Sequence, residues 1–330
     1  MINKKILLDT NIFMRLLENN AKYNRILDYY FYKDFDFVIS DHSLFEILDF
    51  LDRHNDVEGY KNVIFFLNKY EVCLMFRKGS EKFYKNYNSF LFQKYSMGEA
   101  KNLLYESFKF ALTRFLSNVY MLTILYLANS LENSYTSNFY TYIRKIFKKR
   151  KVYNLAQNHV GRIVNSGYIS NSIEVNRYVK QELKDTVIQI ICYYNIFKED
   201  EIINEKKFND EFKRLKILYN KENFKDIVSK YARPNVLQMK NIDGLDEISY
   251  SFIKEYINDL CLEGASFSIN DAVDFLNFLN AYEKNIYYYT LDTNSLKKYS
   301  RYFEGETKVL EYLEKIKEIE NIPYNVLVKI

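Results

Sequence analysis

Three short apolar runs, each followed by residues at helical spacing, fill the first 76 positions, and this alternation limits what the chain can fold into. The runs are Lys4-Lys5-Ile6-Leu7-Leu8, Asp36-Phe37-Val38-Ile39-Ser40 and Glu71-Val72-Cys73-Leu74-Met75-Phe76. Phe13, Leu16 and Leu17 open a helical pattern after the first run, and further patterns follow at 23–32, at Leu44, Ile47, Leu48 and Leu51, and at 60–69. Strands that alternate with helices predict a parallel sheet, because parallel neighbours need a long crossover between them.

The alternation then stops. From 77 to 240 strand signals are almost absent, and apolar residues recur at helical spacing, as in Phe108, Leu112, Phe115, Leu116, Val119 and Leu122. Charge changes at the same place. Residues 77–240 carry a net +14 and the rest of the chain −10, which together give the overall +4. The excess is steepest in 77–151, with 14 basic and 4 acidic side chains, and includes the run Arg144, Lys145, Lys148, Lys149, Arg150 and Lys151. One basic run is commonly a solvated face. A segment-wide split between a basic region and an acidic remainder is instead the distribution that favours phosphate-rich partners, and Tyr and Phe among the charges offer stacking faces for bases. The sequence therefore predicts a basic all-helical insertion over 77–244 within a discontinuous α/β domain, 1–76 and 245–330.

Regular patterning returns beyond Gly244. A helix is predicted over 247–262 and a second one from Asn270-Asp271-Ala272 through Ala281. Strands are predicted at Asn285-Ile286-Tyr287-Tyr288-Tyr289-Thr290 and at Pro323–Lys329 after helices reaching about 319; the leading proline puts the last strand at a sheet edge.

Acids recur at one kind of place. Asp9 and Asp292 follow strands, and Glu46 and Asp271 stand near the starts of helices that follow a strand or loop. Three of them have a plain structural role open to them. Asp9 suits a solvated strand-to-helix turn, Ser43-x-x-Glu46 fits a capping box, and Asp271 and Asp274 compensate a helix dipole. In one doubly wound sheet, however, all four acids converge at the carboxyl edge, where ligands bind. Carboxylates so close must be protonated or share cations, and oxygen-only donors select Mg²⁺ or Mn²⁺.

These features resemble the PIN-domain nucleases. The likeness rests on Leu7-Leu8-Asp9-Thr10-Asn11, on Val38-Ile39-Ser40 with Glu46 on the next helix, on Asn270-Asp271-Ala272 with Ala281, and on Tyr289-Thr290-Leu291-Asp292. The resemblance implies Asp9, Glu46, Asp271 and Asp292 as metal-binding catalytic acids, Asp274 as an extra ligand, and Asn11, Thr290 and Asn294 as supporting residues. Asn294 stands where many members of that family carry a further acid. The resemblance covers the two flanks and not the long insertion. It implies a divalent-metal-dependent endoribonuclease, of a kind that includes toxins and defence nucleases, with the basic insertion holding RNA. A DNA-cutting nuclease and a non-catalytic RNA- or protein-binding module are the alternatives, and a protein partner or self-association stays open.

Other classes find little support. Three separated cysteines (Cys73, Cys192 and Cys261) and three scattered histidines make no metal-ligand spacing, and read as thiols of a reducing compartment. Asp9 interrupts the first apolar run too early for a signal peptide, and the run 115–131 is too short and too polar for a membrane span, so a cytoplasmic protein without a membrane partner is expected.

Overall fold

The structure is a computed structural model. It describes residues 4–18, 24, 27–28, 30–32, 35–75, 83–84, 95–133, 135–165, 172–199, 204–231, 247–258, 269–283, 286–290, 292 and 326–329. The chain divides into two compact units, 1–111 with 273–330, and 112–272; both boundaries fall inside helices and not at 77 and 245.

The first unit is a mixed α/β structure around one six-stranded sheet. Its elements are β1 (Lys4–Leu8), α1 (Thr10–Leu17), β2 (Phe35–Ser40), α2 (Asp41–Arg53), α3 (Val57–Lys69), β3 (Cys73–Met75) and β4 (Phe83–Tyr84), then most of α11 (Ile269–Glu283), β5 (Tyr287–Thr290) and β6 (Val326–Lys329). The strand order is β4-β3-β2-β1-β5-β6. The central four, β3-β2-β1-β5, are parallel, whereas β4 and β6 run antiparallel at the edges. The edge position expected for the last strand is thus observed. β4 is a short pairing that the sequence did not signal; it exists through its ladder with Leu74 and Met75.

Alternation along the strands builds the core. Leu7, Val38, Cys73, Met75 and Tyr288 gather with Ala281 and Ile286 in one buried cluster. Ile6, Leu8, Phe37 and Ile39 are buried as well, so the central strands are covered on both faces, as parallel strands require. Beside them Phe13 of α1 meets Phe66 of α3 edge to face at 5.2 Å, an arrangement worth ~1 kcal/mol beyond area burial. β1 lies between β2 and β5, so chain connections leave it in opposite directions and its carboxyl end opens onto the crevice of a doubly wound sheet.

The second unit is helical throughout its described residues. It holds the later part of α4 (Met97–Leu131), then α5 (Phe139–Ile146), α6 (Lys149–Asn165), α7 (Ser172–Lys198), α8 (Glu205–Leu218), α9 (Phe224–Tyr231), α10 (Glu247–Asn258) and the first residues of α11. A buried polar relay crosses it: Tyr120 Oη lies 2.8 Å from His159 Nδ1, and His159 Nε2 lies 2.9 Å from Glu182 Oε2. These partners account for His159 without any metal.

The apolar run at 115–131 belongs to a helix of 35 residues that begins at Met97, long and apolar enough by length and composition to span a membrane. Its most apolar window is 83% buried against protein, as a core helix would be. Cys73 and Cys192 are free and buried, as expected, while Cys261 and the helices expected near 295–319 lie outside the described residues.

One close approach makes a stability test. Asp56 caps α3 by accepting from the Gly59 amide at 2.8 Å, and a Cβ on Gly59 would come within 2.6 Å of Leu51 Cδ2 and 2.5 Å of Asp56 Oδ2. Gly59→Ala should therefore destabilise the protein by ~1–3 kcal/mol, overriding the ~1 kcal/mol that alanine gains in a helix. Urea denaturation measures this; an equal or higher midpoint would contradict the packing.

Candidate functional site

At the carboxyl end of β1 the chain turns directly into α1, and Asp9 occupies the turn, only 2% exposed. Its backbone amide donates to Tyr289 O at 3.0 Å, which locks the turn to β5. The carboxylate is held from three sides. The Thr10 amide donates to Oδ1 at 2.8 Å, Asn11 Nδ2 donates to Oδ2 at 2.8 Å, and Thr290 Oγ1 donates to Oδ2 at 2.5 Å. Thr290 Oγ1 accepts in turn from Asn11 Nδ2 and from the Asp292 amide, each at 3.0 Å. The solvated-turn alternative for Asp9 is therefore excluded.

Glu46 joins this cluster from α2. Thr10 Oγ1 donates to Glu46 Oε2 at 2.8 Å while the Thr10 amide serves Asp9, so one residue bridges the two acids. The capping-box reading of Glu46 is incorrect. Ser40 caps α2 by accepting from the Ser43 amide at 3.2 Å, and the helix starts at Asp41, which leaves Glu46 a turn further in and free to face Asp9.

The electrostatics follow from burial. Desolvation raises the pKa of Asp9, Thr290 and Thr10 oppose it, and Asp292 adds to the rise. Burial likewise pushes Glu46 up to about 8, opposed by the Thr10 hydroxyl and reinforced by Asp9 and Asp49. The charges that perturb both groups are themselves acids. Such a pair holds a proton near neutral pH unless a cation takes its place.

The remaining expected acids are placed differently. Asp292 follows β5, partly exposed, its amide on Thr290 and its charge felt by Asp9. Asp271, in the first turn of α11, belongs to the helical unit, where the Tyr256 hydroxyl donates to its Oδ2 at 3.0 Å. Asp274, one turn on, is partly exposed and belongs to the sheet unit. Asn294 lies outside the described residues. The structure thus brings Asp9 and Glu46 together with Asn11 and Thr290, and sets the Asp292 amide, not its carboxylate, against Thr290. Among the described residues no group of three or more His, Cys, Asp or Glu side chains is close enough to hold a metal ion. Asp9 and Glu46, each held by N–H or O–H donors, meet the carboxylate count of a Mg²⁺-type ion, which typically takes one or two protein carboxylates and completes its shell with water and substrate phosphate.

A second polar cluster at the end of β2 was missed from the sequence. Ser40 Oγ donates to Asn277 Oδ1 at 2.7 Å, His42 Nε2 sits 2.9 Å from the same oxygen, and Asn277 Nδ2 donates to Ser43 Oγ at 2.9 Å. Asp41 accepts from the His42 amide at 2.9 Å. All five residues are buried, so the cluster fixes α2 against α11 and presents no reacting group. Its one sequence signal is Asn277 within the apolar stretch of α11.

The six basic residues of the run are exposed, with Arg144 and Lys145 in the last turn of α5 and Lys148 to Lys151 leading into α6, while Phe147 between them is buried. Cations suit the end of α5. At the start of α6 they oppose the helix dipole, a cost that a bound anion offsets. Comparison with family models, with curated proteins and with solved structures finds no match to this chain.

The perturbed acids set a pH dependence. Glu46 has a folded pKa of about 8 against 4.5 unfolded, so its contribution is fully present below 4.5 and is lost as pH rises toward 8. In EDTA, the stability of the wild type should fall between pH 5 and 8, and Glu46→Gln should fall less by ~1–2 kcal/mol, a figure discounted for the residue's partial exposure. Denaturant titration at the two pH values checks this; parallel losses would contradict it.

Proposed function

We propose that the protein is a divalent-metal-dependent endoribonuclease of PIN-like type. The observation that carries the reading is the Asp9–Glu46 pair, bridged by Thr10 at the carboxyl end of the central strand. Asp9 and Glu46 would hold Mg²⁺ or Mn²⁺, with Asp292 as a neighbouring acid; Asp271 and Asp274 are further candidates from the resemblance. When bound, such an ion activates water and offsets charge on the leaving oxygen of a phosphodiester. The chain's own residues do the positioning. Asn11 and Thr290 fix the rotamer of Asp9, Thr10 aims Glu46, and the turn into α1 keeps the pair beside the crevice. The basic helical region supplies cations for the RNA backbone, among them Arg144 to Lys151.

A non-catalytic RNA-binding module is the competing reading. It is favoured by the lack, among the described residues, of three metal-ligating groups in reach of one ion. The two readings part on one substitution. Asp9→Asn should lower Mn²⁺-dependent cleavage of single-stranded RNA by ~100-fold or more, since even the loss of groups that merely orient metal ligands costs 10–100-fold. Circular dichroism checks that the variant folds, since Asn at this position keeps one acceptor oxygen but turns a donor toward the Thr10, Asn11 and Thr290 group. Equal cleavage by both proteins, or none by the wild type, would overturn the nuclease reading.

A further inference from the structure

Away from the acidic pair, the helical unit contains a cavity of about 550 Å³ between α7 and the turn that leads from α8 into α9. Arg177, Lys180 and Lys184 form one wall, at spacings of three and four that put them on a single face of α7. Lys221 and Lys225 form the opposite wall. Lys184 Nζ donates to Asn220 O at 3.1 Å and ties the walls together.

Five cations around one concavity repel one another, and the nearby acids do little to relieve them. Glu222, which also lines the cavity, is engaged by Lys230 at 2.5 Å, Asp185 by Lys216 at 2.7 Å, and Glu174 pairs with Arg177. Lys180, Lys221 and Lys225 make no hydrogen bond or ion pair among the described residues. Helices that place unpaired lysines on facing walls gain most from an anion that spans both walls. The rest of the lining is amide, from Asn176, Gln181 and Asn223, with one aromatic ring, Phe224, that is itself buried, whereas a protein interface is anchored by several large side chains. Its volume is that of a small-ligand pocket.

We propose that this groove holds the sugar–phosphate backbone of a single-stranded RNA, with successive phosphates set between Lys180 on α7 and Lys221 and Lys225 on the facing wall. The choice of RNA rests on the nuclease reading; the choice of a phosphate chain rests on the groove itself.

The test is binding without cleavage. Fluorescence anisotropy of a labelled single-stranded RNA of about 20 nucleotides, in EDTA, compares the wild type with Lys180→Gln/Lys221→Gln/Lys225→Gln. The triple variant should bind roughly tenfold or more weakly near 0.1 M salt, and the slope of log affinity against log salt should flatten by about 2, near 0.7 per lost phosphate contact. A triple substitution of the exposed Lys206, Lys207 and Lys213 on α8 should leave affinity within about twofold, with circular dichroism showing both variants folded. Equal losses in the two triple variants would mean diffuse attraction and overturn the groove. Competition by AMP as strong as that by unlabelled RNA would overturn the strand in favour of a free nucleotide. Both Asp9 and Glu46 are intact in these proteins and no metal is present, so failure of the nuclease reading leaves this result standing, and failure here leaves cleavage by the acids untouched.

Discussion

A carboxylate placed in a protein interior must be paired, hydrogen-bonded or protonated, and the sheet unit is arranged around one that is hydrogen-bonded without a cation. Asp9 ends β1, caps the turn into α1 and receives donors from Thr10, Asn11 and Thr290. These contacts join the two halves of a discontinuous unit, since Thr290 is separated from Asp9 by 281 positions. Parallel pairing of β1 with both β2 and β5 is what brings the donors to one edge. Glu46 then arrives through α2, whose start is fixed by Ser40 and the buried Asn277 network.

The donors around Asp9 lessen the cost of its charge and do not remove it, because burial outweighs them and Asp292 adds to it. Glu46 shares the same surroundings, and the one hydroxyl it receives leaves its pKa well above the usual carboxylate range. Excess stability is not a reason to retain such a pair, since two apolar residues of similar volume would pack without the penalty. A proton or a hard cation resolves it. The helical unit has the complementary problem of unpaired lysines around a groove, which phosphate resolves.

Much of this was legible from residues. The runs at 4–8, 36–40 and 71–76 and the parallel order of their strands follow from apolar patterning, and Asp9 stood out because an acid closes a central strand. The helical character of the long middle was also readable, since its apolar residues keep a 3.6 period, although β4 falls inside the span expected to be all helical. Three things were not. The local spacing around Glu46 matched a capping box while the resemblance alone pointed to a ligand, and it took the helix start at Asp41 to show that Ser40 has the capping role. The units divide inside α4 and α11, where helical periodicity runs on unbroken and no local signal marks a boundary. The Lys180, Lys221 and Lys225 groove is assembled from positions about forty residues apart, and spacing within one segment cannot reveal it.

The central claim is that the Asp9–Glu46 pair is built for a divalent cation, and the protonation of Glu46 reports on it most directly. Carbon-13 NMR titration of the Glu46 carboxyl in EDTA should give a midpoint near 8, and Mg²⁺ should move it down by at least ~2 units as the ion replaces the proton. A midpoint that is the same with and without Mg²⁺ would contradict the account.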